Sequence, residues 1–573
     1  MQNIKNKFIY LFQNFFSPKE VIFTFALVFV SLFSFLIFLY FVTTHFMVDR
    51  IIYSGSITEG IIENPKNTNP YKLETQVDKD VSKLLFSSLI TNVDNDKYDG
   101  ILAQAVEVSS DRQTYKLTLK DNIYFSNGNP ITLDDILYSL DQVPLEKNYT
   151  VEKASEKVLT FKLKKPTKDN FLETFTYPII SKDEKFDINF SKNLITSSFF
   201  KIKDLTKDAD GNMTKLVLTR YNNGEEKLPY IKTYTIVFYK TEEEAYTAFQ
   251  RKEIDLLSGV RGSTISKIKD DTNIEFEVSA LPNNFAIFIN QNANEALRDN
   301  DLRQAMSDVI DRGSLSNQVL GNFGIPEKNI LGENSPAVQP DQIIKNLSSS
   351  FSYENGVLYK GTKKKTSDTK KDSTTNESAT KETDSGKVGI KVSLTTIENP
   401  ELVETAKFIA QSWKKIGIET DIKIISRNEL NTVVKDRDFE NLLFGFSIKN
   451  TKDYYSFFES GERTYPKLNI SNYTSIEADK ILNVLNGEAD DTRKKELLKK
   501  LSDKISQDNP VIILYKPQFV FAHFLKSHII LPNTIKGEEN RYMFINKWYV
   551  NTEKVIPIFN KFNFIDKLDT YFY

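Results

Sequence analysis

TYKLTLKDNIYFSNGNPITLDDILYSL, residues 114–140, carries the first decision about the fold. Tyr115, Leu117 and Leu119 alternate with Lys116, Thr118 and Lys120, the period-two pattern of a half-exposed strand. Asn127-Gly128-Asn129 turns the chain. Thr132 then stands as a helix N-cap, with Asp134 and Asp135 in the first turn beside the positive end of the helix dipole. That placement assigns the adjacent carboxylates to a helix start rather than to a paired-acid site.

The same alternation of strand and helix extends both ways, so the class is α/β. Upstream, Ile51-Ile52-Tyr53-Ser54-Gly55 suits a buried strand, and Val77, Val81, Leu84, Leu85 and Leu89 recur at helical spacing. Downstream, Lys215–Thr219 and Thr233–Tyr239 read as strands, and Thr241 caps a helix running to Gln250. Asp301–Leu320 reads as one long helix. Glu401–Ile416 is another, closed by Gly417 and followed by the strand Glu419–Ile425. Arg493–Ile505 leads into the strand Val511–Tyr515, and Phe519–Phe521 reads as a further strand.

Composition narrows the function. The 573 residues carry 75 Lys and Arg against 77 Asp and Glu, three histidines (His45, His523 and His528) and no cysteine. The length suggests at least two lobes. A net charge of −2 argues against general nucleic-acid affinity. Disulfides, thiolate metal sites, cysteine catalysis and a lipid-modified N-terminal cysteine are excluded. No P-loop, dinucleotide fingerprint, zinc-protease, nucleophile-elbow or EF-hand pattern occurs, and no Ser is placed beside His523 or His528 by such a motif. The reading is a non-enzyme with no cofactor and no metal site, and its abundant aromatics suit both core and a ligand cleft.

From Val21 to Met47 the chain has no Lys, Arg, Asp or Glu. A helix of that length reaches about 40 Å, enough to cross a hydrocarbon core about 30 Å thick. The run is longer than a secretory h-region, and its only alanine, Ala26, lies deep inside it, so it reads as an uncleaved anchor. Lys5, Lys7 and Lys19 precede it, which puts residues 1–20 in the cytoplasm and the body outside the cell membrane. Lys360–Lys387 has no aliphatic side chain larger than Ala379 and is expected to be disordered.

Four stretches, in order, resemble the bacterial extracellular solute-binding proteins of family 5, the oligopeptide- and dipeptide-binding components of ABC importers. The first is Asn69-Pro70-Tyr71-Lys72-Leu73-Glu74 with Leu84-Leu85-Phe86-Ser87-Ser88-Leu89. The second is Ile101-Leu102-Ala103 followed by residues 115–135, similar to the family's "F-x-D-G-x-P-h-T-A-x-D-V". The third is Asp301-Leu302-Arg303-Gln304-Ala305 with Ile310-Asp311-Arg312 and Gly321. The fourth comprises Ile416-Gly417-Ile418, Asp438-Phe439-Glu440 and Arg493 through Asn509-Pro510. The likeness runs from about Tyr53 to Pro532.

The resemblance implies a two-lobed, hinged periplasmic-binding-protein-like fold of type II with an extra subdomain. Residues 51–88, 195–281 and 509–550 would form one lobe, 90–193 the subdomain upon it, and 283–508 the opposing lobe with the insert 360–387. Residues 551–573 form a C-terminal tail. Peptide would bind between the lobes and be handed to the importer's membrane subunits, with no nucleic-acid partner. Carried over by position, Glu74, Thr75 and Gln76 would line the cleft, and Asn284 and Phe285 would sit where the chain enters the second lobe. The family's Trp-x-x-Asp segment, whose Asp meets the peptide ammonium, falls on Phe446-Ser447-Ile448-Lys449; aligned on Asp453, it puts Asn450 there instead. Lys449 about 4 Å from an ammonium would cost about 4 kcal/mol at an effective dielectric of about 20. Either Asp453 takes over that role, or the ligand lacks a free amine, is anionic or binds without that anchor, or Lys449 is a plain surface residue. The turn Ile195-Thr196-Ser197-Ser198-Phe199 also departs from the family's "GTGPY"-like pattern. A non-transport surface interaction or signalling protein on the same fold is the competing expectation.

Overall fold

The computed structural model describes residues 17–555 apart from 46, 95–96, 144–147, 165–170, 185, 187–189, 225–227, 348–349, 362–387, 449–450, 489 and 551. The segment expected to be disordered therefore lies, from residue 362 on, outside the described residues. The hairpin that leads into it, Phe351–Glu354 with Val357–Lys360, turns on Asn355-Gly356, both with positive φ.

Two lobes share one sheet system of twelve strands. The first lobe orders Phe200–Lys207, Met213–Arg220, Thr233–Tyr239, Ser56–Ile62 and Leu256–Ser258 up to the strand Val511–Phe524. From that strand the second lobe continues through Asn283–Ile289, Asn441–Ser447 and Lys391–Ile397 to Glu419–Ile425.

Val511–Phe524 runs through both. Its first residues pair with Asn283–Ile289, Val511 facing Phe288 and Tyr515 facing Phe285. Its last residues pair with Ile274–Ala280 and Leu256–Ser258. Side chains of a strand alternate between faces, so this one strand supplies four cores. Ile512 and Leu514 enter one core of the second lobe, Val511 and Ile513 the other. Phe519 and Phe521 enter one core of the first lobe, Val520 and Ala522 the other. Residues 511–515, expected in the first lobe, thus pair within the second, and the crossing falls at Lys516-Pro517. Pro517 splits the apolar pattern into the two short strands expected from sequence. It is tolerated here because the strand changes partners at this point: the Pro517 carbonyl accepts from Leu281 N (3.1 Å) on the other crossing segment.

Two further expectations are corrected. The span 301–320 is two helices, Asn300–Asp308 and Arg312–Leu320, because Asp311 caps the second by accepting from Ser314 N (3.0 Å). The buried opening strand is Ser56–Ile62. Val48–Ile51 pairs instead with Thr552–Val555, joined also by an Arg50–Glu553 ion pair. The start of the C-terminal tail is thereby paired with the strand that follows the exposed apolar helix Pro18–His45.

The subdomain is a four-stranded antiparallel sheet, ordered Ala103–Val108, Thr114–Leu119, Val158–Leu163, Tyr149–Ser155, covered by the helix Leu133–Asp141. Tyr115, Leu117 and Leu119 are buried, as their alternation requires, and Thr132 and Asp135 form a reciprocal capping box. Leu117, Ile136, Phe161 and Phe175 are wholly enclosed in its core.

A buried ion network ties the first lobe together. Arg541 donates to both oxygens of Asp80 (2.8 Å each) and to Glu59 Oε1 (3.2 Å), with all three side chains almost fully enclosed. Glu59 also accepts from the hydroxyls of Tyr234 and Tyr542 (2.6 Å each) and from Ser258. Removing one member leaves uncompensated buried charge, which costs about 3–5 kcal/mol. Arg541→Met is therefore expected to destabilise the first lobe by that amount. The chain's two tryptophans give separate readouts, Trp548 in the first lobe and Trp413 in the second. Urea unfolding followed by fluorescence should show the Trp548 transition shifted in a Trp413→Phe background, with the Trp413 transition unmoved in a Trp548→Phe background.

Candidate functional site

One cavity of the molecule lies where the first lobe meets its subdomain. The helix Gln76–Leu85 opens with Thr75 as N-cap, accepting from Asp78 N (3.0 Å) in a capping box. Its apolar residues Val77, Val81, Leu84 and Leu85 are buried. The opposite stripe, Gln76, Asp80 and Lys83, recurs at helical spacing and faces the short 3₁₀ segment Glu538–Lys547 instead of water. Between this helix, that segment and the 3₁₀ turn Phe171–Thr176 lies a cavity of about 430 Å³, a volume within the range of about 300–1,000 Å³ for small-ligand sites. Leu73, Phe86, Tyr177 and Met543 give it apolar walls; Lys83, Lys536, Glu173, Glu539 and Asn92 give it polar ones. Glu173 accepts from Lys536 Nζ (2.9 Å) and Tyr98 (2.8 Å), and Glu539 accepts from Gln76 Nε2 (3.0 Å).

A second cluster marks the crossing between lobes. Asn284, buried, donates to Glu327 Oε2 (2.6 Å), and Lys516 on the crossing strand pairs with Glu327 Oε1 (3.1 Å). Burial, with the charges of Glu327 and Asp453 behind it, pushes the Tyr454 hydroxyl up to about 12. Where the lobes face each other, Tyr515 donates to Glu401 Oε1 (3.1 Å). Burial raises the Glu401 pKa, and Arg261 of the first lobe opposes that shift across the gap. Arg261 acts likewise on Glu538, whose carboxyl burial pushes up to about 7. Another cavity, of about 440 Å³, lies wholly within the second lobe between Gln304, Lys328, Glu333 and Gln507, and none of the residues expected in the site lines it.

The residues expected in the site fall into two groups. Glu74 is exposed, while Thr75 and Gln76 sit at the helix start, where Gln76 donates to the cavity residue Glu539; none of the three lines the junction cavity itself. The other group lies at the crossing. Asn284 and Phe446 are cross-strand partners, as are Phe285 and Gly445, and Ser447 Oγ donates to the Pro282 carbonyl (3.4 Å). The Phe285 ring packs on Tyr515, and Phe446 is buried between Phe288 and Phe457. Asp453 is half-buried in the first turn of the helix Thr451–Phe458. Lys449 and Asn450 lie outside the described residues.

Residues 97–465 match the family model described as bacterial extracellular solute-binding proteins, family 5 middle. The chain belongs to this family. The oligopeptide-binding protein AppA of Bacillus subtilis is 23% identical, over 87% of this chain and 92% of that protein. The nickel-binding protein NikA of Staphylococcus aureus is 21% identical, over 82% of this chain and 90% of its own length. Among solved structures, the ABC transporter substrate-binding protein CtaP of Listeria monocytogenes superposes with a TM-score of 0.67, at 21% identity, covering 87% of this chain and 99% of that one. The molecule is thus a solute-binding protein with the periplasmic-binding-protein-like fold.

Several stretches that carry the family pattern prove architectural. Arg303 donates to the carbonyls of Leu297, Asp508 and Asn509, and Arg312 to those of Ser307 and Ile513. Both arginines therefore grip the chain at the start of the lobe-crossing strand. The cavity residues Lys83, Asn92, Glu173, Tyr177, Lys536 and Glu539 escaped the sequence reading. The available signal was the polar stripe Gln76, Asp80, Lys83, which by itself reads as a solvated face.

Glu538 makes the first lobe pH-sensitive. Its folded pKa, about 7, lies above the ordinary carboxylate value. The folded state therefore binds more protons than the unfolded one between about pH 4.5 and 7, and this group's stabilising contribution is lost as pH rises through that window. Glu538→Gln should gain stability relative to the native chain between pH 5 and 7.5, on the order of 2 kcal/mol. Urea titrations at both pH values measure it; equal differences at the two would contradict the assignment.

Proposed function

We propose that this protein captures peptides between its lobes and delivers them to the membrane subunits of an ABC importer, held at the cell membrane by its own N-terminal helix. The observation that carries the reading is the combination of family membership with a partly apolar cavity of about 430 Å³ where the first lobe meets its subdomain, lined in part by Glu539. The oligopeptide-binding AppA spans nearly the same length. Closure about the two crossings, 280–283 and 515–518, would change the relative position of the lobes and leave each core intact, and ligand would select the closed state by its higher affinity for it.

A nickel ligand has less support from the residues. Among the described residues no group of three or more His, Cys, Asp or Glu side chains is arranged to hold a metal. His523 is buried in the first-lobe sheet, and His528 stacks on Tyr549. For the anchor, Ile22–Val42 is long and apolar enough to cross a membrane and its side chains are exposed. The lysines before it support a cytoplasmic N-terminus and an extracytoplasmic body.

The test is thermal unfolding of the full chain in detergent, read by tryptophan fluorescence, against di- to nonapeptides, free and N-acetylated, and against Ni²⁺ with and without histidine. A peptide at 100 times its Kd is expected to add about 2.7 kcal/mol. Stabilisation by nickel–histidine alone would replace the peptide reading with a metal one, and silence toward every solute would favour a surface interaction protein on this fold.

A further inference from the structure

Lys83 stands on the cavity wall without a counter-ion. Its side chain is half-buried, and among the described residues it makes no hydrogen bond or ion pair. The two carboxylates of the cavity are engaged elsewhere: Glu173 by Lys536 and Tyr98, Glu539 by Gln76 and by Asn540 Nδ2 (3.2 Å). Asn92, on the same wall, has its amide Nδ2 buried with no acceptor at hydrogen-bond distance. Asn92 faces the already engaged Glu173, whose carboxyl it helps hold down, so Lys83 is the cation of this partly apolar cavity that has no hydrogen bond or ion pair among the described residues. An enclosed cation without a partner is costly, and burial lowers the Lys83 pKa against the charge of Glu539. A ligand carboxylate would satisfy Lys83 through a charge-assisted bond about twice as strong as a neutral one, with the Asn92 amide on the same wall within the cavity. A carboxamide in the same place would leave the ammonium uncompensated.

We propose that the junction cavity receives a carboxylate of the bound ligand against Lys83 and Asn92, so that the protein selects acidic peptides or a free peptide C-terminus. The inference rests on the peptide reading above and names the chemistry of that same site.

Calorimetric titration of the full chain in detergent with Ala-Ala-Glu-Ala-Ala and Ala-Ala-Gln-Ala-Ala, each as the free acid and the C-terminal amide, separates the two sources of carboxylate. Glutarate serves as a non-peptide probe. The expected result is at least about tenfold tighter binding of a carboxylate-bearing peptide than of the amidated glutamine peptide, equivalent to about 1.4 kcal/mol. A Glu-over-Gln preference places the carboxylate on a side chain; an acid-over-amide preference places it at the C-terminus. The preference should vanish in Lys83→Met and persist in Lys83→Arg. Equal binding of all four peptides, or a preference unchanged in Lys83→Met, overturns the inference and leaves the peptide reading standing. Lys83-dependent binding of glutarate without any peptide binding keeps the carboxylate site and removes the peptide reading. Binding of none of the probes overturns both. The four-peptide comparison on the native chain needs no variant, so a folding failure of Lys83→Met leaves the test intact.

Discussion

The hydrogen-bonded run Val511–Phe524 is the constraint on which the molecule depends. A strand's alternation obliges neighbouring residues to face opposite sides, and this strand meets that obligation twice, once in each lobe. A slip of one residue would turn four sets of core side chains to the wrong faces at once. Its register is accordingly gripped where it begins, by Arg312 on the Ile513 carbonyl and Arg303 on the carbonyls just before it. The crossing Lys516-Pro517-Gln518 lies outside the four cores, with its side chains half-buried. That is where two rigid bodies joined by a common strand can flex without disturbing either core.

The polar features at the crossing and at the junction follow from this frame. The crossing sets Asn284, Glu327 and Lys516 in a closed polar set at the root of the gap between lobes. The Arg541 network fixes the helix Gln76–Leu85 against the segment Glu538–Lys547, and the junction cavity is the space those two elements leave beside the subdomain. Buried charge thus positions one wall of the cavity. The polar groups that fix the wall are mutually satisfied, whereas Lys83 on the wall itself makes no hydrogen bond or ion pair among the described residues.

Local features of the fold were legible in the sequence. The strand at Tyr115–Leu119, the Thr132 and Thr241 caps and the Gly417 helix end rest on period, side-chain capping and positive φ, each decided within a few residues. The break at Asp311 was missed because apolar residues keep helical spacing on both sides of it. Continuity through Pro517 was missed because proline interrupts a strand unless its partners change there. The site was less legible still. Asp80 and Lys83 look solvated on their own helix, and what covers them lies more than 450 residues away, as the Asp80–Arg541 separation of 461 shows. The family pattern pointed to segments expected to face the cleft but carried no information on a cavity whose charges belong to this chain.

The central claim is that ligand draws together two lobes joined by one strand. The chain has no cysteine, so Lys201→Cys in the first lobe and Lys407→Cys in the second, both exposed positions, give a unique spin-label pair. Pulsed electron-electron distance measurement on the full chain should show a second, ligand-dependent population when a stabilising peptide saturates the protein. A distance distribution unchanged at saturation would contradict the account.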